Sequence, residues 1–399
     1  MRATHGIFAA LSAGLSLSSA AACSKQGLLL VSSYPFESSP GEIVKGGVTT
    51  LKLGNKGLEQ VGEISSICGT NPSWQTLVGG DQYYCINENF DDGPGAFTSA
   101  KVNTDGTLAF VGNSSTPGGP VHIALFGENG ERAITSNFAS SSFDVFNIED
   151  PAKLQSLDNK PFPPRADNET ITSRPHQAVV DPTGGFVVIP DLSVDVLHIF
   201  SIDQTALTLT ELPAHLFGNG TGPRHAAFLK SGDKTFLYVI AEKKVSILGF
   251  EVSYGTNSLT LSEKFNIRTD GSENAPAEGS SGAEITISPD NKFLTVSTRN
   301  ETTLEYTSVA DGTKIPSDAL NTFSIDPATG ELTHVQSAPA GGSFPRHFSF
   351  NKDGSLVAVA CGGENRVNVF ERDVGTGIIG KAVGERVLTT QVNHVIFKE

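Results

Sequence analysis

The chain has 399 residues, 38% of them apolar, enough for two ordinary domains or one large β domain with a sizeable core. A net charge of −15 argues against nucleic acid as a partner, because a phosphate backbone needs a basic surface, yet it leaves room for a local cationic site that takes a small anion. Gly (42) and Pro (21) are frequent, which suits a fold with many turns.

In chain order, the first element is a leader. MRATHGIFAALSAGLSLSSAAACSK combines Arg2, a mostly apolar run from Ile7 to Leu17, and the small residues Ala20, Ala21 and Ala22 before Cys23. This pattern predicts a secretory signal peptide over residues 1–22, followed by one domain over 23–399 and a secreted location. A lipoprotein signal ending at Cys23 is the alternative. The run is too short and interrupted for a membrane span, and no later stretch is long and apolar enough for one. Two features agree with export. Four N-x-[ST] sequons, at Asn113, Asn168, Asn219 and Asn300, are glycosylation candidates. The cysteines are Cys23, Cys68, Cys85 and Cys361, an even count that suggests disulfides. Cys68 and Cys85 are the local pair; a pairing of Cys23 with Cys361 stays open.

After the leader comes KQGLLLVSSY from Lys25, a strand with no partner before it. Six similar units follow: NPSWQTLVGGDQYYCINE from Asn71, GPVHIALFGENGERAITSNF from Gly119, RPHQAVVDPTGGFVVIPDL from Arg174, GPRHAAFLKSGDKTFLYVIAE from Gly222, SGAEITISPDNKFLTVSTRN from Ser281 and FPRHFSFNKDGSLVAVACGG from Phe344. Their heads lie 48–63 residues apart. Each unit is an apolar strand, a polar turn and a second apolar strand, often with a third strand behind, as in DVLHIFSID. About four strands per unit at this period is a propeller blade rather than half of a sandwich. The chain ends on QVNHVIFKE, a head strand with no successor. Joined to the N-terminal strand it makes a seventh blade. The predicted fold is therefore all-β: a seven-bladed β-propeller whose N- and C-terminal strands share one blade and leave no open sheet edge.

In such a ring the first strand of each blade lines the channel, and its start meets the end of the second strand on one face. The aligned head positions read Ser73, His122, His176, Arg224, Ala283, Arg346 and Asn393. The second-strand tails supply Tyr34, Glu88, Asp191, Glu242 and Arg299. His225 and His347, one residue past their heads, alternate to the other side of the strand and are expected in inter-blade packing. A cluster of Arg, His and Glu at one rim suits anion binding, proton transfer and oxyanion stabilisation, the set that lactone formation or opening needs. An Arg at a strand head could instead tie neighbouring blades through backbone carbonyls. No metal-ligand spacing, phosphate-cradling loop or nucleophile elbow occurs.

Across nearly the whole mature chain, the motifs RPHQAVVDPTGGFVVIPDL, GPRHAAF, YVIAE, SGAEITISPDNKFLTVSTRN and FPRHFSFNKDG resemble the seven-bladed propeller lactonases. That family includes bacterial 6-phosphogluconolactonases and fungal carboxy-cis,cis-muconate cyclases. The resemblance implies an enzyme without a cofactor, acting on a small anionic substrate at the channel mouth. It also implies a site of one His, two Arg and one Glu, matching His176, Arg224, Arg299 and Glu242. His176 and Glu242 are then the proton-transfer candidates, and Arg224 and Arg299 bind substrate, with Arg346 and His122 beside them. The expected reaction is lactone-forming cyclisation of the 3-carboxy-cis,cis-muconate type. Two readings stand as alternatives: hydrolysis of a 6-phosphogluconolactone-like substrate, and a non-catalytic secreted glycoprotein that binds a carbohydrate or protein.

Overall fold

The computed structural model describes residues 27–89 and 93–399; the expected leader and Cys23 lie outside them. Seven four-stranded antiparallel sheets make up the body of the protein, with two short hairpins added. Blade 1 begins with Pro72–Val78, blade 2 with Pro120–Phe126, blade 3 with the short Val179–Val180, blade 4 with Pro223–Ser231, blade 5 with Ser281–Ile287 and blade 6 with Pro345–Phe350. Blade 7 is shared as expected. The C-terminal strand Gln391–Lys398 is innermost and pairs with Gly27–Tyr34, with Val31 opposite Val395. Gly47–Gly54 and Gly57–Ser65 complete that blade. Innermost strands of successive blades touch one another, the last against the first, so the ring is closed.

The strands form because each alternates between two buried faces. The resulting core is divided rather than central. Seven apolar clusters each join two neighbouring blades: Leu237, Val239 and Phe250 of blade 4 pack with Val188 and Ile199 of blade 3, while Tyr238, Ile240 and Ile247 face Leu294 and Phe323 of blade 5. The clusters joining blade 7 to blades 6 and 1 close the series. Full burial contributes about 1.5–3 kcal/mol per large apolar side chain. Both faces of a middle strand are therefore bound to a neighbour, and the axis is left to other residue types.

Cys68 and Cys85 form a disulfide that ties the loop before blade 1 to its second strand, with a Cα–Cα distance of 5.8 Å. Cys361 is a buried free thiol. The four sequon asparagines Asn113, Asn168, Asn219 and Asn300 are all exposed.

One departure from regular strand geometry recurs in every blade. Near its start each innermost strand slips by one residue against its partner. In blade 4, Pro223 faces Ala241 but His225 faces Ile240, which leaves Arg224 unopposed. In blade 6, Pro345 faces Cys361 and His347 faces Ala360, skipping Arg346. The same slip passes Ser73 in blade 1, Val121 in blade 2 and Asn393 in blade 7. It also falls between Gly282 and Ile285 in blade 5, and between the Pro175 and Val179 pairings of blade 3. An extra residue of this kind interrupts strict alternation and re-aims side chains. Consecutive residues can then both face the channel.

Candidate functional site

Two layers of side chains result at the head of the channel. The outer layer holds the ion cluster. Glu242 follows the second strand of blade 4, and its Oε2 lies 2.9 Å from Arg224 Nε and 2.9 Å from Arg299 Nη2. Each guanidinium is also anchored on blade 5 backbone: Arg224 Nη1 donates to Ala283 O at 2.6 Å and Arg299 Nη2 to Gly282 O at 3.1 Å. The carbonyl-tie expectation for a head arginine thus holds for Arg224, alongside its rim position. Phe344 places its ring 4.9 Å from the Arg299 guanidinium carbon. Burial, then Arg299, pushes the pKa of Arg224 down to about 9, which still leaves it a cation at neutral pH.

Arg346 differs. Its guanidinium stacks over the Tyr34 ring at 5.6 Å, and among the described residues it has no hydrogen-bond acceptor and no carboxylate within ion-pair distance. Burial works against its charge, but Tyr34, Glu88, Glu242 and Glu284 outweigh that and hold its pKa above the usual arginine value. Glu88 accepts a 2.6 Å hydrogen bond from Tyr34 Oη, and burial raises its pKa against the pull of Arg346. A cavity of about 530 Å³ opens beside Glu88, walled by Phe138, Ala139, Gly118 and Gly119. Phe138 in turn stands edge-on to His176 at 5.8 Å.

The inner layer is a plug of rings. Trp74 sits at 4.2 Å from both His122 and His394, 5.0 Å from His347 and 5.6 Å from His225. His347 and His394 stack at 3.6 Å. His347 of blade 6 and His225 of blade 4 reach Trp74 from blades that do not neighbour blade 1, so the rings meet on the axis. Glu284 joins them from blade 5, its Oε1 2.9 Å from His225 Nδ1 and its Oε2 3.7 Å from His347 Nε2. Beyond the plug the channel opens into a separate cavity of about 450 Å³, lined in part by Thr286, Ile287, Phe350 and Phe397.

The structure therefore brings His176, Arg224, Glu242, Arg299 and Arg346 together and corrects three sequence-based placements. His122 is not a head residue; Val121 is, and His122 sits one layer deeper against Trp74, its Nδ1 accepting from the Ala178 N–H at 3.5 Å. His225 and His347 are not inter-blade packing; the one-residue slip turns them into the channel. Asp191 braces a loop, fully buried and accepting from Ser173, His198 and the Arg174 N–H. Trp74 and Glu284 were not singled out in the sequence. Their signal was there: read one position past each head, with Val121 as the head of blade 2, the column gives Trp74, His122, Gln177, His225, Glu284, His347 and His394. Among the described residues no group of three or more His, Cys, Asp or Glu is arranged to hold a metal ion.

Comparison with known proteins points one way. The family model described as "Lactonase, 7-bladed beta-propeller" matches residues 31–397. A protein of Arthroderma benhamiae named "Probable 6-phosphogluconolactonase" is 29% identical over 320 residues, covering 77% of this chain and 75% of its own. The 6-phosphogluconolactonase of Formosa agariphila is 25% identical over 338 residues, covering 82% and 88%. Among solved structures, a periplasmic gluconolactonase of Pseudomonas aeruginosa shares the fold with a TM-score of 0.74, at 22% identity over 93% of this chain and 99% of its own.

Proposed function

Because the chain belongs to the seven-bladed β-propeller lactonase family, we propose that it hydrolyses the lactone ring of a sugar acid bearing an anionic group, of the 6-phosphogluconolactone class. Hydrolysis takes precedence over the muconate-type cyclisation expected from the sequence, since the similar proteins carry phosphogluconolactonase names. One observation carries the reading: Arg346 is a rim cation with, among the described residues, no carboxylate in ion-pair reach, set beside the Arg224 and Arg299 pair already bridged by Glu242. A guanidinium whose carboxylates Glu88, Glu242 and Glu284 act on it only at longer range favours a ligand that brings an anion into direct contact.

In this reading Arg346 takes the phosphate and the polyol ring occupies the cavity beside Glu88. The lactone carbonyl turns towards Arg224 and Arg299, which stabilise the oxyanion formed when water adds. Glu242 keeps those two guanidiniums aligned. His176 removes the proton from the attacking water and returns it to the ring oxygen as the C–O bond breaks. Export through the leader belongs to the same proposal, and detection of glycosylated chain in the culture medium checks it.

The test is hydrolysis of 6-phosphogluconolactone and of unphosphorylated gluconolactone by the purified chain and by Arg346→Ala. Turnover of the phosphorylated lactone is expected, with its KM raised about 10- to 100-fold in the variant, as for a lost hydrogen bond to a charge. The KM for the neutral lactone should hardly move. A folded protein that hydrolyses neither lactone overturns the proposal, and consumption of 3-carboxy-cis,cis-muconate in its place restores the cyclase.

A further inference from the structure

A chain of hydrogen-bonding groups runs from the rim into the plug. His176 Nδ1 lies 3.1 Å from His225 Nε2, and His225 Nδ1 lies 2.9 Å from Glu284 Oε1. All three side chains are buried, and each comes from the innermost strand segment of a different blade. Two backbone groups orient the network. Glu284 Oε1 already accepts the Ile285 N–H at 3.0 Å, so it acts as an acceptor for His225 as well. His347 Nδ1 accepts the Val395 N–H at 3.4 Å, which puts the His347 proton on Nε2, towards Glu284 Oε2. Glu284 is thus met by donors at Oε1, while Oε2 faces His347 Nε2 at 3.7 Å, beyond hydrogen-bond distance, and has no hydrogen-bond partner among the described residues. His225 must carry its proton on Nδ1, leaving Nε2 to accept from His176 Nδ1–H. His176 Nε2 is then the proton-free nitrogen, and among the described residues nothing bonds to it.

Resting on the lactonase reading, we propose that His225 and Glu284 are positioning residues: they fix this tautomer of His176 and draw away the proton it collects. The steps balance. Water loses a proton to His176 Nε2 as its oxygen bonds to the lactone carbonyl carbon. The Nδ1 proton of His176 passes to His225 Nε2, and the Nδ1 proton of His225 passes to Glu284 Oε1. Both imidazoles end neutral, the carboxylate becomes a carboxylic acid, and the negative charge sits on the substrate oxyanion. When the ring C–O bond breaks, the protons return along the same path to the leaving oxygen and Glu284 is ionised again.

The surroundings explain why a relay is needed. An imidazolium at His176 would stand in a buried site that Arg224, Arg299 and Arg346 share. Burial first, then Arg224, His225, Arg346 and Arg299, hold its pKa well below the usual histidine value. Glu284 is the converse. Burial raises its pKa, against His347, Arg224 and Arg346, so a proton is welcome there.

The test uses the full chain and Glu284→Gln, whose amide oxygen can still accept from His225 but whose side chain cannot take up a proton. For 6-phosphogluconolactone the expected result is a kcat lower by about 100-fold with KM within roughly twofold, the scale of lost acid–base catalysis. In mixed H2O and D2O, wild-type kcat should follow a bowed curve, since several protons move together, and the variant a straight line. Nitrogen-15 NMR of labelled histidines should show Nδ1–H at His176 and His225 and Nε2–H at His347. A variant retaining at least a third of wild-type kcat, a straight wild-type curve, or an Nε2–H tautomer at His176 overturns the relay. Should the variant fail to fold, the wild-type curve and the NMR decide. A wild type that hydrolyses no lactone refutes the functional reading alone, and the NMR then decides the network.

Discussion

Glu242 holds two guanidiniums with a single oxygen, and that makes it a competitor of any anion entering the rim. Arg224 and Arg299 would repel one another without it. Its side chain keeps 23% exposure, so it stands where a ligand can reach the same cations. Glu242→Gln should therefore bind inorganic phosphate more tightly than the wild type, by about tenfold, or roughly 1.4 kcal/mol. It should at the same time lose lactone turnover, because the two arginines are no longer held in line. Calorimetric titration with phosphate checks the first part; weaker phosphate binding would show that Glu242 builds the anion site rather than competing for it. Arg346, stacked on Tyr34 and without a direct ion pair among the described residues, should be the larger contributor to substrate affinity.

At the scale of the element, the entry to blade 6 carries a backbone cost in exchange for a ring. Gly119, Gly222 and Phe344 all precede a head proline and all have positive φ, at 71°, 66° and 57°. Glycine takes that conformation freely; phenylalanine there costs on the order of 1–3 kcal/mol. Phe344 is held by its N–H donating to Asp318 Oδ2 at 2.7 Å and its carbonyl accepting from the Gly362 N–H at 3.0 Å. Its gain is the contact with Arg299. Phe344→Gly should leave the melting temperature within about 3 °C of wild type, relieved strain offsetting lost contact, while KM for the anionic lactone rises several-fold. Calorimetry and initial rates read both, and an unchanged KM would reduce the ring to packing. The same element explains what could be read from the sequence. The blades, their order and the shared seventh blade followed from a turn-to-turn period and from two orphan strands. His176, Arg224, Glu242 and Arg299 followed from motif matches. The inner layer did not, because a one-residue slip leaves the apolar pattern almost intact while breaking the alternation used to assign faces. His122 was placed one layer too high, and His225 and His347 on the wrong side, for that single reason.

At the scale of the whole molecule, apolar residues are spent between blades and the axis is filled with imidazoles. His122, His176, His225 and His394 have pKa values held well below the usual one by burial, and that of His347 falls to about 4. Below about pH 6.5 the unfolded chain protonates these residues while the folded chain does not, so the unfolded state binds more protons and stability falls with pH. Glu88, Asp144 and Glu284, with raised values, act in the opposite sense, but they are three groups against these five and His215. Between pH 6.5 and 5 the net loss should be on the order of 5 kcal/mol, seen as a melting temperature lower by roughly 5 °C or more. An equal or higher melting temperature at pH 5 would mean that the plug takes up protons while folded. The shared blade has a consequence in time as well. Val31 leaves the ribosome well before its partner Val395, and at about 5–20 residues per second it waits on the order of half a minute for it. For that interval the nascent chain carries an uncapped apolar strand that any passing sheet edge could capture. Its successful synthesis therefore rests on chaperone cover, or on delaying collapse until translation ends.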